Sequence, residues 1–328
     1  MRALITGIHG FVGGHLAEHL LADNVWEVWG LARSRNHSLA HLPPHVQLVW
    51  ADLCDPEQTA QAIAQAQPQV IFHLAGQPFV PESFRDPAGT LTTNMLSALH
   101  IFLALIDQRR NTRVVVIGTN EEYGQICAED LPLTEDTPLR PANPYGVSKV
   151  AQSMLALQYH LSHKLDVVRL RPFTHIGPRQ NERFVSAALA KQIARIEQGL
   201  QAPLIQVGNL GAQRDFTDVR DIANAYRLAA LHGESGAVYN VGSGRAIAIR
   251  TLLELLLAAS SAQVEIRLNP ELMRPIDIPL VVCNARRLYE CTGWEPQIPL
   301  EQTLNDILND WRLRVRDERS TSEITNSS

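Results

Sequence analysis

The chain reads as an α/β protein: a doubly wound parallel sheet followed by a smaller C-terminal α/β lobe. Three observations predict this. The apolar run at residues 2–6 opens directly into a glycine-rich turn and then an amphipathic helix. Apolar runs then alternate with helical segments up to Leu170, and the run at 113–117 lacks the polar alternation of a half-exposed strand. After Leu170 the alternation gives way to loops rich in Arg, Asn and Gly with shorter elements between them. The length, 328 residues, suffices for one large domain or two ordinary ones with a sizeable core.

Residues 2–6 form the first strand, and Gly7, Gly10 and Gly13 follow as G-x-x-G-x-x-G ahead of a helix reaching about residue 21. Glycines here let the backbone turn tightly and approach a pyrophosphate, whose charge suits a helix N-terminus. This is the opening of a Rossmann-type nucleotide-binding sheet. The second strand, 26–32, ends in Arg33, Ser34 and Arg35. A site selective for NAD places a carboxylate near this point, and none stands here. Arg33, with Ser34 and Arg35, can hold a 2′-phosphate, or all three are solvated loop residues. NADP(H) is therefore expected, with NAD(H) as the alternative. A third strand, 46–51, brings Asp52 and Leu53 to where adenine would lie; a fourth, 70–74, runs into the small residues Ala75 and Gly76. A helix over 87–108 precedes the fifth strand, 113–117. Ligands bind beyond the carboxyl ends of such strands, so Gly7, Arg33, Asp52, Ala75, Gly118 and Thr119 share one rim.

The fifth strand empties into Thr119, Asn120, Glu121 and Glu122. Thr119 offers a hydroxyl, which is either functional or a turn former, and Glu121 shares its side if the segment is extended. Tyr145 and Lys149 stand one helical turn apart on one face of the next helix. An ammonium beside a phenol favours the phenolate and brings a poor acid-base group towards neutral pH. Taken alone, the spacing is as compatible with a surface pair. That helix leads into a strand at 165–170, so Tyr145 and Thr119 are expected at the same crevice.

Taken together, Thr6-Gly7-x-x-Gly10-Phe11-x-Gly13, His73-Leu74-Ala75-Gly76, Glu122-Tyr123-Gly124, Asn143-Pro144-Tyr145-x-x-x-Lys149 and Arg171-Pro172-Phe173 resemble the extended short-chain dehydrogenase/reductase superfamily, in its nucleotide-sugar branch. The likeness spans residues 1 to about 312. It implies catalysis by Thr119, Tyr145 and Lys149. It also implies cofactor contacts from the first turn, Gly7 to Gly13 with Phe11 and Val12, and from Asp52, Leu53, Leu74, Ala75, Gly76, Pro172 and His175. The segments at 171–180, 207–210, 214–221 and 274–279 look like those of the GDP-6-deoxy-D-mannose reductases. That likeness implies reduction of the C4 keto group of GDP-4-dehydro-6-deoxy-D-mannose, a GDP-sugar partner and a homodimer.

In the second half, residues 183–198 form an amphipathic helix, 204–207 a strand, and Asp218 begins a helix to 232 that packs back on the first domain. Strands at 238–241 and 246–249 flank Gly242-Ser243-Gly244, and helices follow at 250–259 and 300–312. The expected organisation is a nucleotide-binding domain over 1–170, a sugar-nucleotide lobe over 171–312 and a disordered tail over 313–328. Arginine suits a diphosphate through its planar donors. By resemblance Arg214 and Arg274 are the cations for it, with Asn181 and Arg183 near pyrophosphate and base, and Asn120 beside Thr119 and Glu121 near the sugar. Arg214 can instead pair internally with Asp215 or Asp218.

A GDP-mannose 4,6-dehydratase is the nearest rival. Those enzymes carry a Glu two residues after the catalytic Thr, the place of Glu121, but residues 181–186 lack their Phe-Val-Thr-Arg-Lys sequence. A 4-epimerase and a non-catalytic NADP-binding protein are more distant. A formal charge of −5 gives no reason to expect nucleic acid. The four cysteines show no C-x-x-C pair and suggest no metal site, and the apolar runs fall short of about 18 residues, so no membrane span is expected. The N-terminus runs directly into an apolar strand without a charged leader and cleavage site, so no signal peptide is expected and the protein reads as cytoplasmic.

Overall fold

The structure, a computed structural model, describes residues 1–34, 41–273 and 278–325, with side chains to residue 318. In chain order, β1 (Arg2–Thr6) leads to α1 (Phe11–Ala22), β2 (Glu27–Ala32), β3 (Gln47–Trp50), α2 (Pro56–Ala66) and β4 (Val70–His73). Next come α3 (Val80–Arg85), α4 (Pro87–Asp107), β5 (Arg113–Ile117) and the 3₁₀ turn Asn120–Glu122, then α5 (Pro144–His163), β6 (Val167–Pro172) and β7 (Thr174–Ile176). The remainder runs α6 (Val185–Glu197), β8 (Leu204–Val207), β9 (Gln213–Asp218), α7 (Val219–His232), β10 (Val238–Val241), β11 (Ala246–Ala248), α8 (Ile249–Ala258), β12 (Glu265–Leu268), α9 (Arg286–Thr292) and α10 (Leu300–Thr325).

Seven strands pair in the order β10-β6-β5-β4-β1-β2-β3, and every pair is parallel. Strand residues alternate between the two faces, so β1 sends Ala3 and Ile5 into one core and Leu4 into the other. The first core packs α1 and α7 against the sheet through Leu16, Leu20, Ile222 and Tyr226. The second packs α2, α4 and α5 through Ile63, Ile101, Phe102 and Ala156. Each fully buried Leu, Ile or Phe of this kind contributes about 1.5–3 kcal/mol relative to an exposed one. A third core, from α6, α8 and α10, belongs to the second lobe.

Three expectations change, and one motif gains a structure. The helix after Asp218, α7, packs on α1 as expected, but β6 runs on to Pro172 and β10 adds to the sheet edge beside it, so the sheet extends past residue 170. The segment at 213–218, quoted above only as a motif, is strand β9, paired with β7 and β11. The last helix does not stop at 312: it is helical to Thr325, and Val315, within the expected tail, is fully buried. Among the described residues α4 is long and apolar enough to span a membrane by length and composition, contrary to the estimate from apolar runs. Ala98, Ile101, Phe102 and Leu105 on it are buried in the second core, while Thr90, Asn94 and Ser97 make internal hydrogen bonds. Packing therefore accounts for its apolar face.

Candidate active site

Parallel pairing puts the carboxyl ends of β1, β4, β5 and β6 side by side, and the turns leaving them build the site. Gly7 closes β1 with a positive φ of 69°, and a Cβ there would lie 3.0 Å from the Ala75 backbone. Gly10 is the N-cap of α1 and has no side chain to bond the first-turn N–H groups, which leaves them to an external acceptor such as a phosphate. Phe11 stacks on His175 with ring centroids 6.1 Å apart, so the first turn meets the segment after β6. Val12 is half-buried against the first core, and a Cβ on Gly13 would lie 2.6 Å from the Gly7 carbonyl oxygen.

Thr6 Oγ1 accepts from Ala75 N–H and lies 3.0 Å from His73 Nδ1, whose Nε2 is 3.3 Å from Ser97 Oγ. Burial lowers His73 to about 3, so the ring is neutral and acts as a strut between β4 and α4. Leu74 is half-buried beside it. Arg33 follows β2 directly, and its exposed guanidinium suits a 2′-phosphate; Asp52 accepts from Cys54 N–H, and the buried Leu53 bonds His100 through its carbonyl. Ser34 has interactions of its own, and Arg35 lies outside the described residues. Glycines that admit the backbone, a helix start open to an anion and an arginine where NAD sites carry a carboxylate together fit NADP.

The catalytic candidates do meet. Tyr145 is in the first turn of α5, which Asn143 caps by accepting from Gly146 N–H at 2.7 Å. Its phenol faces the Thr119 side chain. One turn on, Lys149 Nζ donates to the Ile117 carbonyl at 2.8 Å and to Gln152 Oε1 at 2.9 Å. Burial drives both side chains towards their neutral forms. It raises the Tyr145 phenol well above its ordinary value, with Thr119 opposing and Glu121 and Glu122 adding to the rise. It lowers Lys149 to about 8, against the pull of Glu122. Desolvation is the largest effect on each, and Tyr145 holds its proton.

Glu121 sits beside them, but its carboxylate accepts from Asn143 Nδ2 at 2.8 Å, which ties the Asn120–Glu122 turn to the cap of α5. Asn120 opens that turn and its carbonyl accepts from Tyr123 N–H. Sequence reading passed over the deeper layer. Asn94 bonds Ser148 and the 77 backbone, Gln152 links Lys149 to Asn94, and Glu122 and Arg171 form an ion pair at 2.8 Å with side-chain exposures of 0% and 3%. The available signal was a second carboxylate in the turn after Thr119 and two arginines, Arg169 and Arg171, in the fully buried strand β6.

The proposed nucleotide contacts are more dispersed. Pro172 ends β6, and the half-buried His175 bonds the Phe173 carbonyl. Asn181 Oδ1 accepts from Arg183 N–H; Arg183 lies over the Phe79 ring at 5.4 Å, and Phe184 meets the same ring edge-on at 6.1 Å. That contact spans the crevice from the β4 rim to the start of α6. Arg214, on β9, donates to the Ile278 carbonyl. Asp215 is held by Ser243, Gly244 and Cys283, and Asp218 by Arg220 and Thr303. Arg274 lies outside the described residues.

The family model described as GDP-mannose 4,6 dehydratase matches residues 4–307. GDP-6-deoxy-D-mannose reductase of Pseudomonas aeruginosa is 41% identical over 318 residues, covering 97% of this chain and 99% of that protein. GDP-mannose 4,6 dehydratase 2 of Arabidopsis thaliana is 28% identical, over 94% and 86% of the respective chains. Among solved structures, RMD from Pseudomonas aeruginosa complexed with NADPH superposes with a TM-score of 0.84 at 39% identity, over 95% of this chain and 99% of that one. UDP-glucose 4-epimerase of Thermus thermophilus, complexed with NAD, gives 0.85 at 29%, over 95% and 99%. The glycine-rich turn, the Thr119, Tyr145 and Lys149 cluster and these similarities have one consequence: the chain belongs to the GDP-mannose 4,6-dehydratase family of extended short-chain dehydrogenase/reductases, and within it is more similar to the reductase than to the dehydratase.

Proposed function

We propose that this protein reduces the C4 keto group of GDP-4-dehydro-6-deoxy-D-mannose with NADPH, giving GDP-6-deoxy-D-mannose (GDP-D-rhamnose). The observation that carries the reading is a buried Tyr145 that keeps its proton beside Thr119. A ketoreductase needs a proton donor at the oxygen where charge develops, and a neutral phenol in a dry site is one. When bound, the reduced cofactor supplies the hydride to C4. Tyr145 gives its proton to O4, and Thr119 donates a hydrogen bond to the same oxygen. Lys149 holds the nicotinamide ribose, and Arg33 the 2′-phosphate. Arg183, Asn181, Arg214 and Arg274 take the GDP portion. The similarity to the reductase, 41% against 28%, supports the direction of reaction.

Glu121 keeps a dehydratase as the second reading, since it stands where that reaction has a base. Its hydrogen bond from Asn143 supports a positioning role instead. Purified protein given GDP-4-dehydro-6-deoxy-D-mannose and NADPH should consume the two in equal amounts. Conversion of GDP-mannose to a keto sugar without net NADPH loss would establish the dehydratase.

A homodimer belongs to the same proposal. Supporting it, α4 and α5 pack together yet leave Leu103, Val147, Met154 and Leu161 exposed; sedimentation equilibrium at twice the monomer mass is expected. A cytoplasmic location is supported by Cys54, Cys127, Cys283 and Cys291, all free thiols.

A further inference from the structure

Glu122 occupies a position that the reaction above does not use. It is fully buried, and both carboxylate oxygens accept N–H bonds: Oε1 from Thr119 N at 3.0 Å, Oε2 from Arg171 Nε at 2.8 Å. Arg171 is anchored in turn, donating to Tyr123 Oη and to the Glu135 carbonyl, while Tyr123 Oη donates to Asn240 on β10 at 2.6 Å. The carboxylate reaches Thr119 N only because residue 118 is glycine: a Cβ there would lie 2.0 Å from Glu122 Oε1. The bonding is reciprocal. The Thr119 carbonyl accepts the Glu122 N–H at 3.2 Å, and Thr119 Oγ1 accepts the Glu121 N–H at 3.3 Å. A hydroxyl has two lone pairs and one proton. One lone pair of Thr119 is thus tied to the turn, and its proton is available to an acceptor outside it.

We propose that Glu122, paired with Arg171, is a positioning residue for the reduction. Through the Thr119 N–H it latches the turn and so fixes where the Thr119 hydroxyl stands, and its carboxylate, held by Arg171, acts on Tyr145 and Lys149. This rests on the function proposed above. The charged and titratable groups facing Glu122 and Arg171 are Lys149 from α5, Arg169 from β6 and Tyr123 after the turn; those facing Tyr145 and Lys149 are Glu121 and Glu122 from the turn, His73 from β4 and Tyr226 from α7. Burial pushes the Glu122 carboxyl up, with Arg171, the Thr119 N–H and Lys149 pulling it back; as a carboxylate it works against the burial that lowers Lys149 and also opposes loss of the Tyr145 proton.

The test is Glu122→Gln, which keeps size and an acceptor and removes the charge. Expected are unchanged KM for the keto sugar, kcat lower by about tenfold to a hundredfold, as for a misplaced catalytic group, and an alkaline limb of kcat/KM displaced to lower pH. Wild-type kcat with an unmoved limb would overturn the proposal. Glu122→Gln leaves Arg171 buried without its counter-charge, so the variant can fail to fold. The double variant Glu122→Met with Arg171→Met then decides: folded and binding NADPH with reduced kcat supports the latch, and folded with full kcat overturns it. If wild-type protein oxidises no NADPH with the keto sugar, the functional reading falls. The pH profile of NADPH binding, wild type against Glu122→Gln, still reads the Glu122 charge at Lys149.

Discussion

Tyr145 and Lys149, one helical turn apart, are pushed by the same burial in opposite directions on the pH scale and towards the same neutral state. For a reductase this is useful, because the phenol must carry the proton that O4 will need. Tyr145→Phe should lower kcat by about a hundredfold or more while NADPH affinity stays within a small factor; near-normal turnover would remove Tyr145 from the mechanism. The charge on Lys149 makes its own prediction. A lysine lowered to about 8 is ammonium below that pH and neutral above it. NADPH should therefore bind more weakly as pH rises through about 8, and Lys149→Met should abolish that dependence, both read by fluorescence titration. Gly118→Ala places a methyl group into the Glu122 carboxylate. A cost of about 1–3 kcal/mol in denaturant unfolding, with a loss of kcat, is the expected outcome.

The turns that follow the strands carry selectivity, and the one after β2 is the plainest. Arg33 stands where a carboxylate would select a free 2′-hydroxyl, so Arg33→Ala should weaken NADPH much more than NADH. Equal losses would mean that no 2′-phosphate contact exists. The turn after β5 behaves differently. The sequence shows Thr119 and Glu121 as chemistry, but Glu121 is committed to Asn143 and so joins the turn to the α5 cap. Glu122, one residue on, faces inward to Arg171. Short turns permit either residue to point inward, and the choice depends on what the neighbouring strand presents.

Across the whole molecule, the two lobes are stitched together. β10 returns to the main sheet, Arg179 ties Glu18 of α1 to Asp310 of α10, and α10 continues over α6 beyond the expected end. Truncation after Arg312 would remove the fully buried Val315 and the Arg314–Asp310 and Arg195–Glu318 ion pairs. Loss of about 1.5–3 kcal/mol, mainly from the apolar burial, should appear as a lower Tm; an unchanged Tm would mean that the last turns add nothing. The parallel sheet, its binding rim, the glycine-rich turn and the Tyr145-Lys149 spacing were legible in the chain because each depends on local periodicity or on a residue's own conformational freedom. Boundaries of β1, β5, β8 and β10 followed from the same signals. What depended on contacts between distant segments was not legible: β10 crossing back to the sheet, Glu122 finding Arg171 across 49 positions, and the burial that raises Tyr145 and lowers Lys149. Desolvation and ion pairing are set by neighbours in space, and a linear pattern carries no record of them until the chain has folded.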